Sequence, residues 1–358
     1  MPDLSALGWN ADIAAAFHET AGPDLIPGRV SLEHNHVYRV LTESGEWLAE
    51  VSGRLKFRAA GAGELPAVGD WVGLRRVEER DRATIRLILP RRSRFSRKAP
   101  GRGTEEQVVA ANIDLVFLVS SLEDDPKPRS IERYLVLTRQ SGARPVIVLN
   151  KADIAADVTG VLGEVAALAP DVPVHAISAR DGRGFEWLRP YLSTGQTIAL
   201  LGPSGSGKSS IVNRLAGSLL LDTGEVRTWD NRGRHTSVHR QLIVLDGGGV
   251  LIDTPGLREL QPWRPDDTID QVFEEIESLA PSCRFRDCRH DSEPGCAVKA
   301  ALEGGELDAS RYASYRKLSA ERDALEVQQS ERALLEKKRQ GRIIQKAFRA
   351  MEKKKGRV

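Results

Sequence analysis

The stretch Gly202–Ser210 constrains the fold of this chain more than any other part of its sequence. It reads Gly-Pro-Ser-Gly-Ser-Gly-Lys-Ser-Ser and lies between the apolar run Thr197–Leu201 and a helical pattern over residues 210–216. The spacing matches the phosphate-binding loop G-x-x-x-x-G-K-[ST]. A flexible Gly/Ser linker would not be bracketed by a strand and an amphipathic helix. The sequence therefore predicts an α/β domain with a site for nucleotide phosphates.

The residues of this loop have separate expected roles. Glycines let backbone N–H groups converge on the β-phosphate, and the following helix adds the positive end of its dipole. Lys208 bridges the β- and γ-phosphates, and the Ser209 hydroxyl ligates Mg²⁺. The residues expected to contact the nucleotide are Gly202, Pro203, Ser204, Gly205, Ser206, Gly207, Lys208, Ser209 and Ser210.

Two segments upstream of the loop indicate that the base is guanine. Asn150, Lys151 and Asp153 follow an apolar run, and Ser178 and Ala179 follow the next one. The carboxylate of Asp153 can accept both the N1–H and the exocyclic N2–H₂ of guanine, a donor pair that adenine lacks. Asn150 can bridge the base and neighbouring loops, the stem of Lys151 can lie across the ring, and the Ser-Ala segment offers an N–H to O6. The sequence therefore predicts GTP and GDP as ligands.

The segments downstream of the loop predict the magnesium site and the catalytic residues. A strand ends at Asp253, which can hold a Mg²⁺-bound water, and Gly256 can offer its N–H to the γ-phosphate. Leu257 stands where Ras-like enzymes carry the glutamine that orients the attacking water, which predicts slow intrinsic turnover. His235 is the candidate for that task, although packing or a backbone hydrogen bond explains it equally well. The expected Mg²⁺ ligands are Ser209, Thr236 and Asp253, and the expected catalytic residues are Lys208, His235 and Thr236.

The order of these motifs is unusual. In ordinary small GTPases the guanine motif follows the phosphate loop, whereas here both guanine segments precede it. The set matches a circularly permuted GTPase domain over about residues 105–260. Alternating apolar runs and helical segments in this region predict a mostly parallel sheet with helices on both faces.

All three cysteines of the chain cluster with one histidine near the C-terminal end. Cys283, Cys288, His290 and Cys296 lie within fourteen residues. Three thiolates and an imidazole suit a closed, tetrahedral and therefore structural Zn²⁺ site. Three unrelated buried cysteines beside an exposed histidine would be the alternative. A zinc-binding domain with a small core, built from short helices, is predicted over residues 261–325.

The rest of the chain divides by its local pattern. Residues 1–27 are predicted to form an N-terminal arm, and five short β-like runs over residues 28–90 predict an OB-type barrel. Residues 91–104 are predicted to be a basic linker, and residues 326–358 a basic helical tail. The barrel carries aromatic and basic residues that suit a nucleic-acid surface, although core packing and a solvated face explain them as well: Tyr38, Arg39, Trp47, Arg54, Lys56 and Phe57.

Composition and charge bound the location and the partners. The content of 41% hydrophobic and 28% charged residues is typical of a globular protein, so a disordered or fibrous chain is excluded. No apolar run approaches a membrane span of roughly 18–20 residues, and the N-terminus lacks a signal-peptide pattern, which predicts a cytosolic protein with no membrane partner. The net charge of +2 hides a tail, residues 337–358, with ten Lys or Arg and one acidic residue. Such asymmetry favours contact with phosphates.

The ordered set of motifs closely resembles the RsgA family, also called YjeQ, of bacterial GTPases that depend on the small ribosomal subunit. The resemblance covers roughly residues 28–320 and rests on Asn-Lys-Ala-Asp, Ser-Ala-Arg, the phosphate loop, Gly-Arg-His-Thr, Asp-Thr-Pro-Gly-Leu and the cysteine cluster. It implies a GTPase that binds the 30S subunit and 16S rRNA late in subunit maturation and is stimulated there. A monomer with GTP or GDP, Mg²⁺ and one structural Zn²⁺ is expected.

Two rival functions are consistent with part of the sequence. A transporter-type ATPase shares the phosphate loop. It would also carry an Asp-Glu pair after the strand that ends in its second acidic motif, and a Leu-Ser-Gly-Gly-Gln segment. Both are absent from this sequence. An RNA-binding adaptor with a vestigial nucleotide site would not be expected to retain Asp153, Lys208, Ser209 and Asp253.

Overall fold

The structure, a computed structural model, describes residues 3–77, 82–98, 106–123, 126–217, 241–246, 248–253 and 268–330. The predicted residues His235, Thr236, Gly256 and Leu257 and the basic tail from residue 337 lie outside these ranges.

A closed five-stranded barrel follows an N-terminal helix. Strand β1 pairs with both β2 and β4, β2 pairs with β3, and β5 pairs with β3 and β4, so the sheet closes on itself. Alternate side chains such as Val30, Val40 and Val72 fill its interior. The elements are α1 (Ala11–Thr20), β1 (Ile26–His34), β2 (Val37–Thr42), β3 (Gly45–Val51), α2 (Gly53–Arg58), β4 (Trp71–Val77) and β5 (Arg82–Ile88).

The N-terminal arm packs on this barrel. The amide oxygen of Asn10 accepts a 3.0 Å hydrogen bond from the Ile13 N–H and so caps α1. Ile13 and Phe17 on the buried face of α1 join a small core with Trp71 of β4. The ring of Trp9 meets that of Trp71 edge-on, with centroids 4.9 Å apart.

The central part of the chain forms a mostly parallel sheet in the order β10-β9-β8-β11-β13-β12. Only the β12–β13 pairing is antiparallel within this group. Successive side chains of each strand alternate between a core under α3 and α4 and a second core under α5. The elements are β8 (Leu115–Ser121), α3 (Pro128–Ser141), β9 (Arg144–Asn150), α4 (Val158–Leu168), β10 (Val174–Ala176), β11 (Thr197–Leu201), α5 (Lys208–Leu215), β12 (Gln241–Val244) and β13 (Val250–Asp253).

Part of the segment predicted to be a linker is a strand. Strand β6 (Arg94–Lys98) pairs antiparallel with β7 (Glu106–Ala111) in a separate two-stranded sheet. The ring of Phe95 is buried, and the hydroxyl of Ser96 donates a 2.6 Å hydrogen bond to Glu106. The segment predicted to be a basic linker therefore contains a strand, in which Phe95 is buried.

The C-terminal region is helical and shares a core with the α3 face of the sheet. Ile269, Phe273 and Val298 pack in the same cluster as Leu135. The first two helices of this region are separated at Phe273, whose backbone leaves the helical region and whose ring is fully buried. The elements are α6 (Thr268–Val272), α7 (Glu274–Leu279), α8 (Ala297–Glu303) and α9, helical over residues 309–330. None of the helices in the described ranges combines the length and the apolar character that a bilayer crossing requires.

Candidate functional site

The predicted nucleotide residues lie where strands of the parallel sheet end. The phosphate loop follows β11, Asp153 lies three residues after β9, and Ser178 lies two residues after β10. Because β8 and β11 are neighbours in the sheet although the chain visits β9 and β10 between them, the loops meet at a point where the strand order reverses. Ligands of open α/β sheets bind at such points.

Glycines in the phosphate loop are required by their conformation and by close contacts. Gly205 and Gly207 have φ angles of +79° and +88°, in the left-handed region that side chains disfavour. A Cβ on Gly207 would lie 2.1 Å from the Nδ2 of Asn150. A Cβ on Gly202 would lie 2.1 Å from the carbonyl oxygen of Val119. The loop therefore depends on glycine for its shape.

The side chain of Lys208 folds over the loop. Its Nζ donates hydrogen bonds to the carbonyl oxygens of Gly202 at 2.8 Å and Pro203 at 2.5 Å. The hydroxyl of Ser206 donates to the same Pro203 carbonyl at 3.0 Å. The cation is thus held inside the cradle in which nucleotide phosphates would bind.

Asn150 connects the phosphate loop to the base loops, which are the segments after β9 and β10. Its Nδ2 donates a 2.9 Å hydrogen bond to the Ser206 carbonyl, and its Oδ1 accepts one of 2.9 Å from the Ala179 N–H. The side chain is 2% exposed, so both bonds form away from competing water. One amide side chain therefore sets the distance between the parts of the site that would bind phosphate and base.

The carboxylate of Asp153 is held from one side. The Ser178 hydroxyl donates a 2.9 Å hydrogen bond to its Oδ1, and the exposed guanidinium of Arg180 lies 3.8 Å from its Oδ2. Farther along the same loop, the backbone N–H and guanidinium of Arg183, with the Ser178 hydroxyl, lower the pKa of Asp181 to about 2. The loop that carries Ser178 and Ala179, which are predicted to contact guanine, is thus fixed by hydrogen bonds.

The predicted magnesium ligands are partly described. Ser209 lies in the first turn of α5, and Asp253 is the last residue of β13, which runs parallel to β11. Both residues therefore belong to the same edge of the sheet as the phosphate loop. Thr236, His235 and Gly256 fall outside the described residues.

The cysteine cluster is closely gathered. The four potential ligand atoms lie within 4.8 Å of one another, with His290 Nδ1 at 3.4 Å from Cys296 Sγ and 3.6 Å from Cys283 Sγ. The Sγ atoms of Cys283 and Cys296 are 3.9 Å apart. Bonds of about 2.3 Å to sulfur and about 2.0 Å to nitrogen give tetrahedron edges of roughly 3.5–3.8 Å. The donor set and its spacing therefore fit a four-coordinate metal ion.

Neighbouring groups support this cluster. The N–H groups of Ala297 and Lys299 donate 3.4 Å hydrogen bonds to Cys283 Sγ and Cys296 Sγ, respectively. Burial lowers the pKa of His290, which favours the neutral imidazole that a metal needs. The Tyr312 hydroxyl donates to the His290 carbonyl, which ties the loop to α9.

Two contributing carboxylates escaped the sequence analysis. Glu123, just after β8, pairs with the ammonium of Lys151. Glu293 accepts three backbone hydrogen bonds within the cysteine loop, which runs from Cys283 to Cys296. The position of Glu123 after a buried strand was a usable signal, because strand ends meet at this site. Glu293 lies midway between His290 and Cys296, which was a weaker signal.

The phosphate loop, the base loops and Asp253 at the end of β13 lie at one edge of a parallel sheet. This arrangement defines a P-loop nucleoside triphosphatase. Because the base loops precede the phosphate loop in the chain, the domain belongs to the circularly permuted class.

Comparisons with known proteins identify the family. A profile of the RsgA GTPase family matches residues 88–263. The small ribosomal subunit biogenesis GTPase RsgA of Opitutus terrae is 47% identical over 327 residues, which cover 89% of each chain. The crystal structure of YjeQ from Thermotoga maritima is 28% identical with a TM-score of 0.60, covering 84% of this chain and 98% of that one. YloQ, described as a circularly permuted GTPase, is 26% identical with a TM-score of 0.57, covering 85% and 97%.

The chain therefore belongs to the RsgA GTPase family and is a GTP hydrolase. The predicted family and the predicted fold class, a barrel followed by a permuted GTPase domain and a C-terminal region with a Cys₃His cluster, are confirmed.

Proposed function

We propose that this GTPase binds the 30S ribosomal subunit through its 16S rRNA late in subunit maturation and hydrolyses GTP to GDP and phosphate when the subunit stimulates it. Its family makes it a GTPase of small-subunit biogenesis. The observation that carries the nucleotide part is the pair of hydrogen bonds at the Asn150 side chain, one donated to Ser206 and one accepted from Ala179, which join the phosphate loop to the base loops.

Guanine nucleotide is the proposed ligand of this site. Asp153 would accept the two donors of guanine, while the Ser178 hydroxyl keeps its carboxylate turned toward the base loop. The N–H groups of the phosphate loop and Lys208 would bind the phosphates. A Mg²⁺ ion held by Ser209, Thr236 and Asp253 would supply positive charge at the β- and γ-phosphates.

Slow intrinsic hydrolysis is expected from the residue that follows Gly256. Leu257 offers no polar group to orient water, so His235 or a group from the ribosome would have to do so. A GTPase that responds to the 30S subunit requires a hydrolysis rate that depends on that subunit.

The Cys₃His cluster is proposed to hold one structural zinc ion. Cys283, Cys288, His290 and Cys296 supply four protein ligands, which leaves no position for a substrate. The metal would stabilise a loop that, among the described residues, has little apolar packing beyond Cys296 and Val298.

Two exposed aromatic side chains among arginines and lysines support contact with RNA. Phe57 is 91% exposed on α2, whose other exposed residues include Arg54, Lys56 and Arg58. Phe285 in the cysteine loop is exposed, with the guanidinium of Arg284 5.5 Å from its ring centre. Unpaired bases stack on such rings while the cations bind phosphate.

We place the protein in the bacterial cytoplasm, as a monomer that acts on the ribosome.

GTP hydrolysis with and without purified 30S subunits tests the proposal. Stimulation of the full-length chain by at least about tenfold is expected, and Lys208→Ala should abolish the stimulated rate. Absence of stimulation would overturn the proposed function. Equal binding to the subunit with GTP and GDP, without hydrolysis, would instead identify a non-enzymatic adaptor.

A further inference from the structure

An ion pair joins the guanine motif to the end of the neighbouring strand. The ammonium of Lys151, in the segment after β9, contacts the carboxylate of Glu123, which follows β8. The side chain of Lys151 is 29% exposed and that of Glu123 is 53% exposed. The pair therefore lies at the rim of the proposed base site rather than in its floor.

The backbones on both sides of this pair are fixed. The Leu122 N–H donates a 2.8 Å hydrogen bond to the Asn150 carbonyl, and the Glu123 N–H donates one of 3.1 Å to the Ser121 hydroxyl. The Ala152 N–H donates a 3.0 Å bond to the Ile177 carbonyl, on the other side of Lys151. The ion pair thus connects two anchored points instead of two mobile loops.

Lys151 itself has an unusual backbone. Its φ angle of +68° lies in the left-handed region, which is unfavourable for a residue with a side chain. Such a conformation persists where surrounding contacts fix it, and it is common at functional sites. An ion pair as exposed as this one adds little to the stability of the fold. The ion pair is therefore expected to act mainly on the position of the four-carbon stem of Lys151.

We propose that Glu123 is a positioning residue for guanine nucleotides. By holding the Lys151 ammonium at the end of β8, it keeps the aliphatic stem stretched along the rim, where one face of the base would lie against it. A free lysine would lose much rotamer freedom when the nucleotide binds, and Glu123 removes part of that loss beforehand. The inference rests on the proposed guanine site but assigns a function to a residue outside its motifs.

The contact with the stem predicts a specific pattern of affinities. A stem that lies on the ring does not distinguish exocyclic groups, whereas Asp153 does. Loss of the Glu123 charge should therefore weaken GTP, GDP and ITP by the same factor, roughly threefold to tenfold. The ratio of GTP to ITP affinity should stay at its original value.

Equilibrium titration of fluorescent GDP, with GTP and ITP as competitors, tests this in the full-length chain. Glu123→Gln is expected to raise all three dissociation constants, and Glu186→Gln, an exposed glutamate of the turn Phe185–Trp187, is the matched control. In a Lys151→Ala background, Glu123→Gln should have no further effect, because its action passes through the lysine. The melting temperature should not change in either glutamate variant.

Several results would overturn the inference while leaving the proposed function intact. Unchanged or tighter binding by Glu123→Gln would mean that the pair is idle or holds Lys151 away from the base. Additive losses with Lys151→Ala, or a changed ratio of GTP to ITP, would mean that Glu123 acts by another route. Failure of the unaltered chain to bind any guanine nucleotide would overturn the proposed function itself.

Discussion

At the scale of single residues, the site depends on side chains that each do two jobs. Asn150 belongs to a motif that predicts base recognition, yet its described contacts are all to other loops of the protein. Its amide can donate and accept at once, which an ionised carboxylate could not do. The sequence could predict this residue because the motif spacing after a strand is specific. It could not predict the partner Ser206, because that pairing depends on how two distant loops fold together.

The carboxylate of Asp153 should determine which purine binds. In Asp153→Asn the side-chain amide would offer a donor, which opposes the N2–H₂ of guanine and suits the C2 carbonyl of xanthine. Charge-assisted hydrogen bonds contribute about 1.5–3 kcal/mol, so GTP affinity should fall by roughly tenfold to a hundredfold. XTP affinity should rise, as measured by competition against labelled nucleotide.

Asp157→Asn is the control for this substitution. Asp157 caps α4 by accepting a 2.8 Å hydrogen bond from the Gly160 N–H, and asparagine caps helices equally well. The same chemical change four residues away should leave both affinities unaltered. If both variants bound GTP as tightly as the original chain, Asp153 would not be the base-reading residue.

At the scale of elements, the strands and helices were more predictable than the loops between them. β11 matches its predicted range because an apolar run ended by a glycine loop leaves few alternatives. β6 was missed because its four polar residues concealed one buried phenylalanine. The cysteine loop was predicted as a metal site from ligand spacing alone, while its internal hydrogen bonds could not be read from spacing.

Glu293 should hold the cysteine loop in the shape that binds metal. Its carboxylate accepts hydrogen bonds from the N–H groups of Arg289 at 3.0 Å, Asp291 at 2.9 Å and Ser292 at 3.1 Å. These N–H groups, chiefly that of Arg289, lower the pKa of Glu293 from 4.5 to about 2. Because the folded-state pKa is depressed, this stabilisation is fully present above about pH 4.5 and is lost as the pH falls through 2.

A neutral amide accepts these bonds more weakly than the ionised carboxylate does. Glu293→Gln should therefore release zinc about tenfold faster than the unaltered chain near neutral pH, measured with a chromogenic chelator. Glu303→Gln, at the exposed end of α8, should release it at the original rate. Equal rates for the two variants would show that the loop keeps its shape without the carboxylate.

At the scale of the whole molecule, contacts between single residues join the described regions, in addition to the core that the C-terminal helices share with α3. Leu32 of β1 pairs with Gln241 of β12, which links the barrel to the central sheet. On the opposite side, Arg311 of α9 pairs with Glu132 of α3 at 3.0 Å and donates a 2.7 Å hydrogen bond to the Val272 carbonyl. The sequence could predict the fold class but not these joints, because each joint depends on single residues with no repeating pattern.

Arg29 forms another such joint and is 1% exposed. It donates hydrogen bonds to the carbonyls of Leu7 in the arm, Gly69 in the barrel at 3.2 Å and Asn112 before β8 at 3.0 Å. Its guanidinium lies 5.3 Å from the ring centre of Trp71. Burial lowers the pKa of Arg29 to about 10, which leaves it protonated at neutral pH.

Replacing this cation should loosen the arm, the barrel and the GTPase domain together. Arg29→Met keeps most of the apolar stem but leaves the Leu7 and Asn112 carbonyls without this donor, while the Gly69 carbonyl keeps a 3.1 Å bond from Asn112 Nδ2. The expected cost is about 3 kcal/mol in the free energy of unfolding. Arg39→Met is the control, because Arg39 is half-exposed and its ion pair with Glu46, at 3.3 Å, should contribute less than about 1 kcal/mol. Thermal denaturation of both variants measures the difference. Since each carbonyl belongs to a different part of the chain, a melting temperature no lower for Arg29→Met than for Arg39→Met would mean that β1–β12 pairing alone orients the barrel.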